Sequence, residues 1–378
     1  MLDPLFDWIS RIWQTLIAGT RRLIALIVSP FVAVYTFFQT SGWILRGIIL
    51  VILLPFVLGY AHFAWHALWI RDFDLDYPQR FAQPGNLKPA GEQVAVEGGE
   101  ETTKTCGRSR TVDITADLID FNVNRNKWIS SNPLYKAGIF FMIDWDKTWF
   151  FDNKAAFQRG VHQAASRTAI ELADALGRTR GTSRINTDLR KAKGNIQFDQ
   201  RTWYFNIFDD QPFGPTTRSQ TYYRRAIDSL RKYNDDLEKC NATFDARADN
   251  LMQFLDRIAK DIGAQSAAIK DRSERYNSGW FDTRADDIFM FSKGQLYAYY
   301  GILQGVRADF PEVVKSRALA DIWNNMDDHL RRAIELDPLI ISNGKEDGFI
   351  MPTHLTTIGF YILRARSNLV EIRSVLDR

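Results

Sequence analysis

Twenty-four consecutive residues without Asp, Glu, Lys or Arg, GIILVILLPFVLGYAHFAWHALWI at 47–70, constrain this 378-residue chain more than any other feature. About 20 apolar residues suffice to cross the hydrocarbon core of a bilayer, so Gly47 to Ile70 predicts a transmembrane helix. Pro55 and Gly59 lie inside it and are tolerated where neighbouring groups satisfy the freed carbonyl. Trp43 stands near one end and Tyr60, Trp65 and Trp69 near the other, where amphipathic rings prefer the headgroup level. A signal peptide has a shorter apolar run starting nearer Met1, so a cleaved leader is not expected.

Upstream, Leu2, Leu5, Phe6, Ile9, Ile12, Trp13, Leu16 and Ile17 recur at steps of three and four, with Asp3, Asp7, Arg11 and Gln14 opposite. The pattern predicts an amphipathic helix over 1–22 lying in the membrane interface. Residues 23–45 follow as a short apolar membrane-associated stretch, broken at Ser29 and Pro30. Arg11, Arg21, Arg22 and Arg46 precede the span, which places the N-terminus in the cytoplasm and the bulk of the chain outside. The rival topology, in which 23–40 also crosses, leaves only Gln39 to Arg46 for the turn and puts Arg46 on the wrong side. His62 and His66 are spaced to share a metal, but intramembrane ligands normally come from several helices, so interfacial histidines beside tryptophan are the expectation.

The net charge is +3, of which +2 belongs to residues 1–70, so the remaining chain is near balance. Balanced, interspersed charge is no nucleic-acid footprint. Aromatic residues at 13% and hydrophobic residues at 46% supply material for a sizeable core. Cys106 and Cys240 are too few for a zinc site or a C-x-x-C motif. They form either one disulfide, in an oxidising compartment, or two unrelated thiols; spacing does not decide between these.

Residues 71–110, rich in Pro, Gly and Glu from Gln83 onward, read as a linker, and 111–378 as a helical periplasmic domain. Tyr223, Leu230, Leu237, Phe244, Leu251 and Ile258 recur at steps of seven and predict one long coiled-coil-like helix over 217–272, about 80 Å if unbroken. Asn234 and Asn241 interrupt the companion row; they either fix a register or face solvent near a bend. A helix over Lys154–Leu176 stops at Gly177, Asp282 caps a helix running to Asp309, and Pro311 and Pro352 open two more. GIFFMID at 138–144 and TWYFNIF at 202–208 are the strongest strand candidates. The fold class expected is mostly α, a single-span membrane helix with a helical-bundle domain.

No phosphate-cradling G-x-x-x-x-G-K-[ST], no G-x-G-x-x-G, no H-E-x-x-H and no G-x-S-x-G occurs. Three weaker constellations remain. Arg178, Arg180 and Arg184 in GRTRGTSR suit an anion site, although a solvated basic loop is the commoner outcome. Asp144 and Asp146 with His162 hold the groups for acid–base chemistry, if the fold brings them together. Asp327, Asp328 and His329 point apart on one helix and would need distant partners, and Glu346–Asp347–Gly348 reads as turn chemistry rather than a calcium loop.

Taken together, IDFNVNRNKW (119–128), LGRTRGTSRINTDLRKAKG (176–194), TYYRRAIDSLRKYNDDLEKCNATFDARADNLMQFLDRIAKDIG (221–263) and MPTHLTTIGFYILRARSNLVEI (351–372) resemble a family of uncharacterised bacterial membrane-anchored proteins, a domain of unknown function. The resemblance covers most of 112–378 and implies a bacterial inner-membrane protein; it brings no activity. The function expected is an envelope scaffold or accessory subunit, with the bilayer, a protein partner and homo-oligomerisation through the heptad seam as its contacts. No metal, cofactor or nucleic acid is expected. The alternative is an envelope enzyme or small-ligand receptor with a pocket near Asp144, Asp146, His162 and the arginine loop.

Overall fold

A computed structural model describes residues 3–81, 106–139, 142–148, 151–178, 184–203, 216–276, 279, 282–345 and 351–378. The chain divides into two units, 1–62 and 63–378.

In the first unit, α1 (Asp3–Thr40) is continuous where the sequence suggested an interfacial helix and a separate broken stretch. Pro30 lies inside it. A proline removes one backbone donor, and in apolar surroundings the helix remains the arrangement that pairs all the others. Ser41 N–H donates to the Phe37 carbonyl, and the Arg46 guanidinium reaches the Gln39 carbonyl at the end of α1. Then α2 runs over Trp43–Ala67, with mean hydropathy 2.3 in a window none of whose residues is buried by the described residues. Among the described residues it is the one helix long and apolar enough to cross a membrane. It starts four residues before Gly47, and Leu68 to Ile70 lie beyond its end.

The second unit begins inside the last turns of that helix. Phe63 and Ala67 are buried, the Phe63 ring lying 5.1 Å from Trp145 and 6.2 Å from Phe151. The chain that follows is held rather than free. The Asn126 amide accepts from Arg71 N–H at 2.7 Å and donates to Arg71 C=O at 3.0 Å. Tyr77 Oη donates to the Tyr297 carbonyl, and Tyr297 Oη to that of Asp74. Residues 71–81 of the expected linker thus pack on the domain, and 82–105 lie outside the described residues.

The domain is helical, with isolated bridges but no strand among the described residues. Ile139 and Ile143 form a bridge in place of the first expected strand, and most of the second lies outside the described residues. Its elements are α3 (Arg110–Asp120), α4 (Pro133–Ala137), α5 (Asn153–Glu171), α6 (Thr187–Ile196), α7 (Ser219–Glu238), α8 (Ala248–Arg275), α9 (Ala285–Asp309), α10 (Pro311–Ser316), α11 (Ala320–Glu335) and α12 (His354–Leu376). Single π-turns, Phe121–Arg125 and Leu172–Leu176, extend α3 and α5, the latter stopping at Gly177. Helix α9 is the central element, packed against α5, α3 and α11, while α12 lies on α8 and α11, and α6 on α7. Asp309 anchors the start of α3: its carboxylate accepts from Ser109 Oγ and the backbone N–H groups of Arg110 and Thr111.

The long helix is two. Cys240 takes φ +60°, a left-handed conformation that ends α7, and the N–H groups of Asn241 and Ala242 turn back to the Asp236 carbonyl. Phe244 stays buried within the connecting loop, so the step of seven survives the break. Tyr223, Leu230, Leu237, Phe244, Leu251 and Ile258 are all buried in this chain's own core, leaving no seam for a second copy. Asn234 is buried and brackets Ser109, accepting from its N–H and donating to its C=O; Asn241 is exposed at the bend. Cys106 and Cys240 form a disulfide with Cα atoms 5.3 Å apart, an ordinary separation for such a bridge.

Candidate functional site

The arrangement with most chemistry is built where two helices begin. Asp152, just before α5, is set against Asp286 and Asp287 in the first turn of α9; further along, Gly160 faces Phe291 and Gln295, and Tyr299 lies near Arg167 and Glu171. The two registers advance together, so α5 and α9 run parallel with their N-termini at one end. They approach closely because glycine allows it: a Cβ on Gly160 would lie 2.0 Å from the Phe291 carbonyl oxygen, and one on Gly294 2.1 Å from that of Phe157.

Three carboxyl groups are buried at this end. No side chain among the described residues hydrogen-bonds the Asp152 or Asp286 carboxyl; what acts on them is backbone N–H at their own helix starts, that of Asp152 on the first and those of Asp286 and Asp287 on the second. Burial, reinforced by the neighbouring Asp287 and Asp286 charges, pushes the Asp152 carboxyl up to about 9. Burial and Asp287 push Asp286 up to about 7. Burial raises Asp287 to about 6 against the opposing pull of Arg159, whose guanidinium lies 3.4 Å away. At neutral pH Asp152 therefore carries a proton, and Asp286 stands near the midpoint of its titration.

Asp286 lines a cavity of about 820 Å³. Two buried lysines share the lining, each bonded to the end of a different helix. Lys154 Nζ donates to the carbonyls of His66 and Trp69, both at 2.8 Å, capping the end of α2. Burial lowers its pKa to about 8. Lys293 Nζ donates to the Leu336 carbonyl at 2.8 Å and to Asp337 Oδ1 at 2.9 Å, and stands 5.4 Å from the centroid of the Phe73 ring. An ammonium has three N–H donors, so one on each lysine remains beyond these bonds. The walls between are apolar: Phe73, Leu75, Met290, Ile334 and Ile341. The site can hold a molecule with a polar end and an apolar body.

Of the residues singled out from the sequence, Asp146 lies nearest this arrangement, accepting from Tyr135 Oη at 2.8 Å and lying 4.0 Å from Arg159. Asp144 is exposed. His162 belongs to the core, its ring 4.5 Å from Tyr223 and 5.3 Å from Trp128, and burial lowers its pKa to about 4. It is a neutral packing residue at pH 7, and the acid–base trio does not assemble. Arg178 is half-buried and Arg184 exposed, while Arg180 lies outside the described residues, as do Glu346, Asp347 and Gly348. Asp327 accepts from Gln304 and is raised to about 7 by burial. No group of three His, Cys, Asp or Glu side chains is placed to hold a metal among the described residues.

Sequence reasoning passed over Asp152, Lys154, Asp286 and Lys293. A signal existed: Lys154 and Lys293 each sit in a run of alanine, glycine and aromatic residues, on helices whose composition leaves little room for a solvated face.

With the geometry in place, comparison with known families finds a match. The model of the family described as an uncharacterized protein conserved in bacteria (DUF2333) matches residues 122–277 and 263–378. That is more than half of the chain, and the protein belongs to this family. No curated protein and no solved structure matches it.

Proposed function

We propose that this DUF2333 member is a bacterial inner-membrane protein, anchored through α2, whose periplasmic domain binds a small amphiphilic ligand in the cavity between the starts of α5 and α9. The observation that carries this reading is the cavity's lining: two buried lysines, Lys154 and Lys293, with Asp286, in otherwise largely apolar walls. Buried charge is costly, and a ligand of complementary charge relieves it. A volume of about 820 Å³ falls within the usual span of small-molecule sites. The disulfide supports the compartment, since such bonds persist on the oxidising side of the inner membrane.

The test is a photoreactive benzoylphenylalanine at Ile341, irradiated in cells. A small-molecule adduct on the cavity peptide is the expected result, and an absence of any such adduct would overturn the reading.

A second reading, the envelope scaffold, keeps one favourable observation. Phe360, Leu363 and Val370 are exposed along α12 at a spacing that forms a stripe. Self-association through that stripe would be lost in Leu363→Asp by light scattering, whereas a monomeric wild type removes it.

A further inference from the structure

Where the chain leaves α2, the domain places apolar side chains that its described residues leave uncovered. Leu68 and Trp69 directly follow Ala67, the last residue of α2, and are 39% and 53% exposed. Leu339 and Ile340, in the loop between α11 and α12, line the same cavity and are 97% and 57% exposed. Met142 and Ile143 are 86% and 46% exposed, and they shortly precede Trp145, whose ring lies 5.1 Å from Phe63 in the last turns of α2. Two loops far apart in sequence thus carry bare apolar side chains beside one helix end, the mark of a surface that meets something apolar.

Neither loop is loose. Lys293 Nζ holds the Leu336 carbonyl and Asp337 at 2.8 and 2.9 Å. On the other side Ser342 Oγ donates to the Pro352 carbonyl, and the buried Asn343 amide donates to the carbonyls of Arg272 and Tyr276. Leu339 and Ile340 are held out on the short arc between these clamps. In the other loop the Ile139 N–H closes a turn onto the Ile143 carbonyl at 2.8 Å, and the Trp145 indole donates to the Leu134 carbonyl. The end of α2 belongs to the same unit, fixed by Lys154 on the His66 and Trp69 carbonyls and by Asn126 on Arg71. Helix end and loops therefore meet their surroundings together.

The chemistry of that helix end says what the surroundings are. The rings of Trp65 and Trp69 lie 5.5 Å apart, and the Arg71 guanidinium stands 5.4 Å from the centroid of the Trp65 ring. Tryptophan and arginine at the end of a long apolar helix mark the level of lipid headgroups. A loop fixed beside that level meets lipid before any soluble partner. Asp337, two residues before Leu339, is paired with Lys293, so the charge beside this tip is compensated.

We propose that Leu339 with Ile340, and Met142 with Ile143, insert into the leaflet from which α2 emerges, so that two loops as well as the helix seat the domain on the bilayer. The inference rests on α2 as a membrane span and is independent of any ligand in the cavity. A domain seated in this way does not swing on its anchor, and the cavity that Leu339 and Trp69 share opens against lipid.

The two native cysteines are paired, so one introduced cysteine gives one reactive thiol. Leu339→Cys, Met142→Cys and a reference beyond the far end of α9, the exposed Lys315→Cys, are made in the full chain, labelled with bimane and reconstituted into phosphatidylcholine vesicles. Quenching by a lipid with a doxyl group high on its acyl chain is compared with quenching by iodide present on both sides. The lipid quencher is expected to dominate at the two loops and iodide at the reference. Adding Ile340→Asp to Leu339→Cys should move the ratio of lipid to iodide quenching about tenfold toward iodide, as a charge replacing an apolar side chain in the interface would. A ratio at both loops equal to that of the reference, or one at Leu339→Cys unchanged by Ile340→Asp, overturns the proposal; lipid quenching at one loop alone overturns the seating of the other. Alkaline carbonate separates the failures: a chain that it strips from the vesicles has lost the span itself, whereas a chain that stays while iodide quenches both loops fails this inference alone.

Discussion

Helices α2 and α9 are the same length, 25 residues, and both are too apolar for the surface of a water-soluble domain, yet they end in opposite surroundings. Over its most apolar window no residue of α2 is buried by the described residues, and from Gly47 to Ala67 it carries no Asp, Glu, Lys or Arg. Helix α9 is buried along almost its whole length and carries polar groups that have partners in other helices: Gln295 donates to Asp261 at 2.8 Å, Gln265 to Ser292 at 2.7 Å, and Tyr299 to Asp261. Hydrophobicity brings a helix out of water. The polar residues decide whether lipid or protein receives it, because lipid offers them no partners.

This contrast can be broken from either side. The largest effect is expected for Leu296→Asp, which places an unpaired charge at a fully buried position of α9 and should cost about 4 kcal/mol, abolishing the cooperative melt of the domain while α2 still inserts. Gly294→Ala should follow at about 3 kcal/mol, read from denaturant midpoints, because the added methyl meets the backbone of α5 and not a side chain that can move. The same charge in the other helix, Leu53→Asp, should cost about 2.5 kcal/mol at the insertion step and appear as loss from the membrane fraction, with the domain's melt unchanged. Loss of the melt in that variant would show the two helices to be one folding unit.

The smallest effect concerns the proton on Asp152. Its folded pKa of about 9 lies above the ordinary carboxyl value of 3.8, so the folded state keeps a proton that the unfolded chain gives up. Stability from this group is therefore full below about pH 4 and falls as pH rises toward 9. Between about pH 6 and pH 8 the Asp152 share of the slope should be at most ~1.4 kcal/mol per pH unit, and Asp286 adds a share of its own in the lower part of that window. Asp152→Asn, which mimics the protonated form, should flatten the Asp152 share, measured by thermal melts across that range. A slope unchanged by the substitution would show the group to be ionised in the folded state.

How much of this was legible differs by feature. The long apolar helix was readable because twenty-four residues without a charged side chain allow few alternatives. The seam was readable as a buried stripe, but its continuity misled. Phe244 keeps the heptad step while sitting in a loop, and only the conformation of Cys240 reveals the break. A periodic pattern records which residues are buried; it does not record that the backbone between them stays helical. The site was not legible, because its members come from helix starts more than a hundred residues apart, and what sets them together is the close approach of α5 and α9, with Gly160 against Phe291 and Gly294 against Phe157. Two mid-helix glycines would ordinarily be read as weak helix positions. His162 failed for the opposite reason: its type suggested catalysis, while its aromatic neighbours make it a core residue.

The bridge between Cys106 and Cys240 spans 134 residues of sequence, among them α3, α5, α6 and α7. A protease that cuts once anywhere inside that stretch produces two polypeptides that remain one covalent molecule. Such a nicked protein would keep its apolar N-terminal helices and its C-terminal helices joined, and would run as a single band without reductant and as two with it.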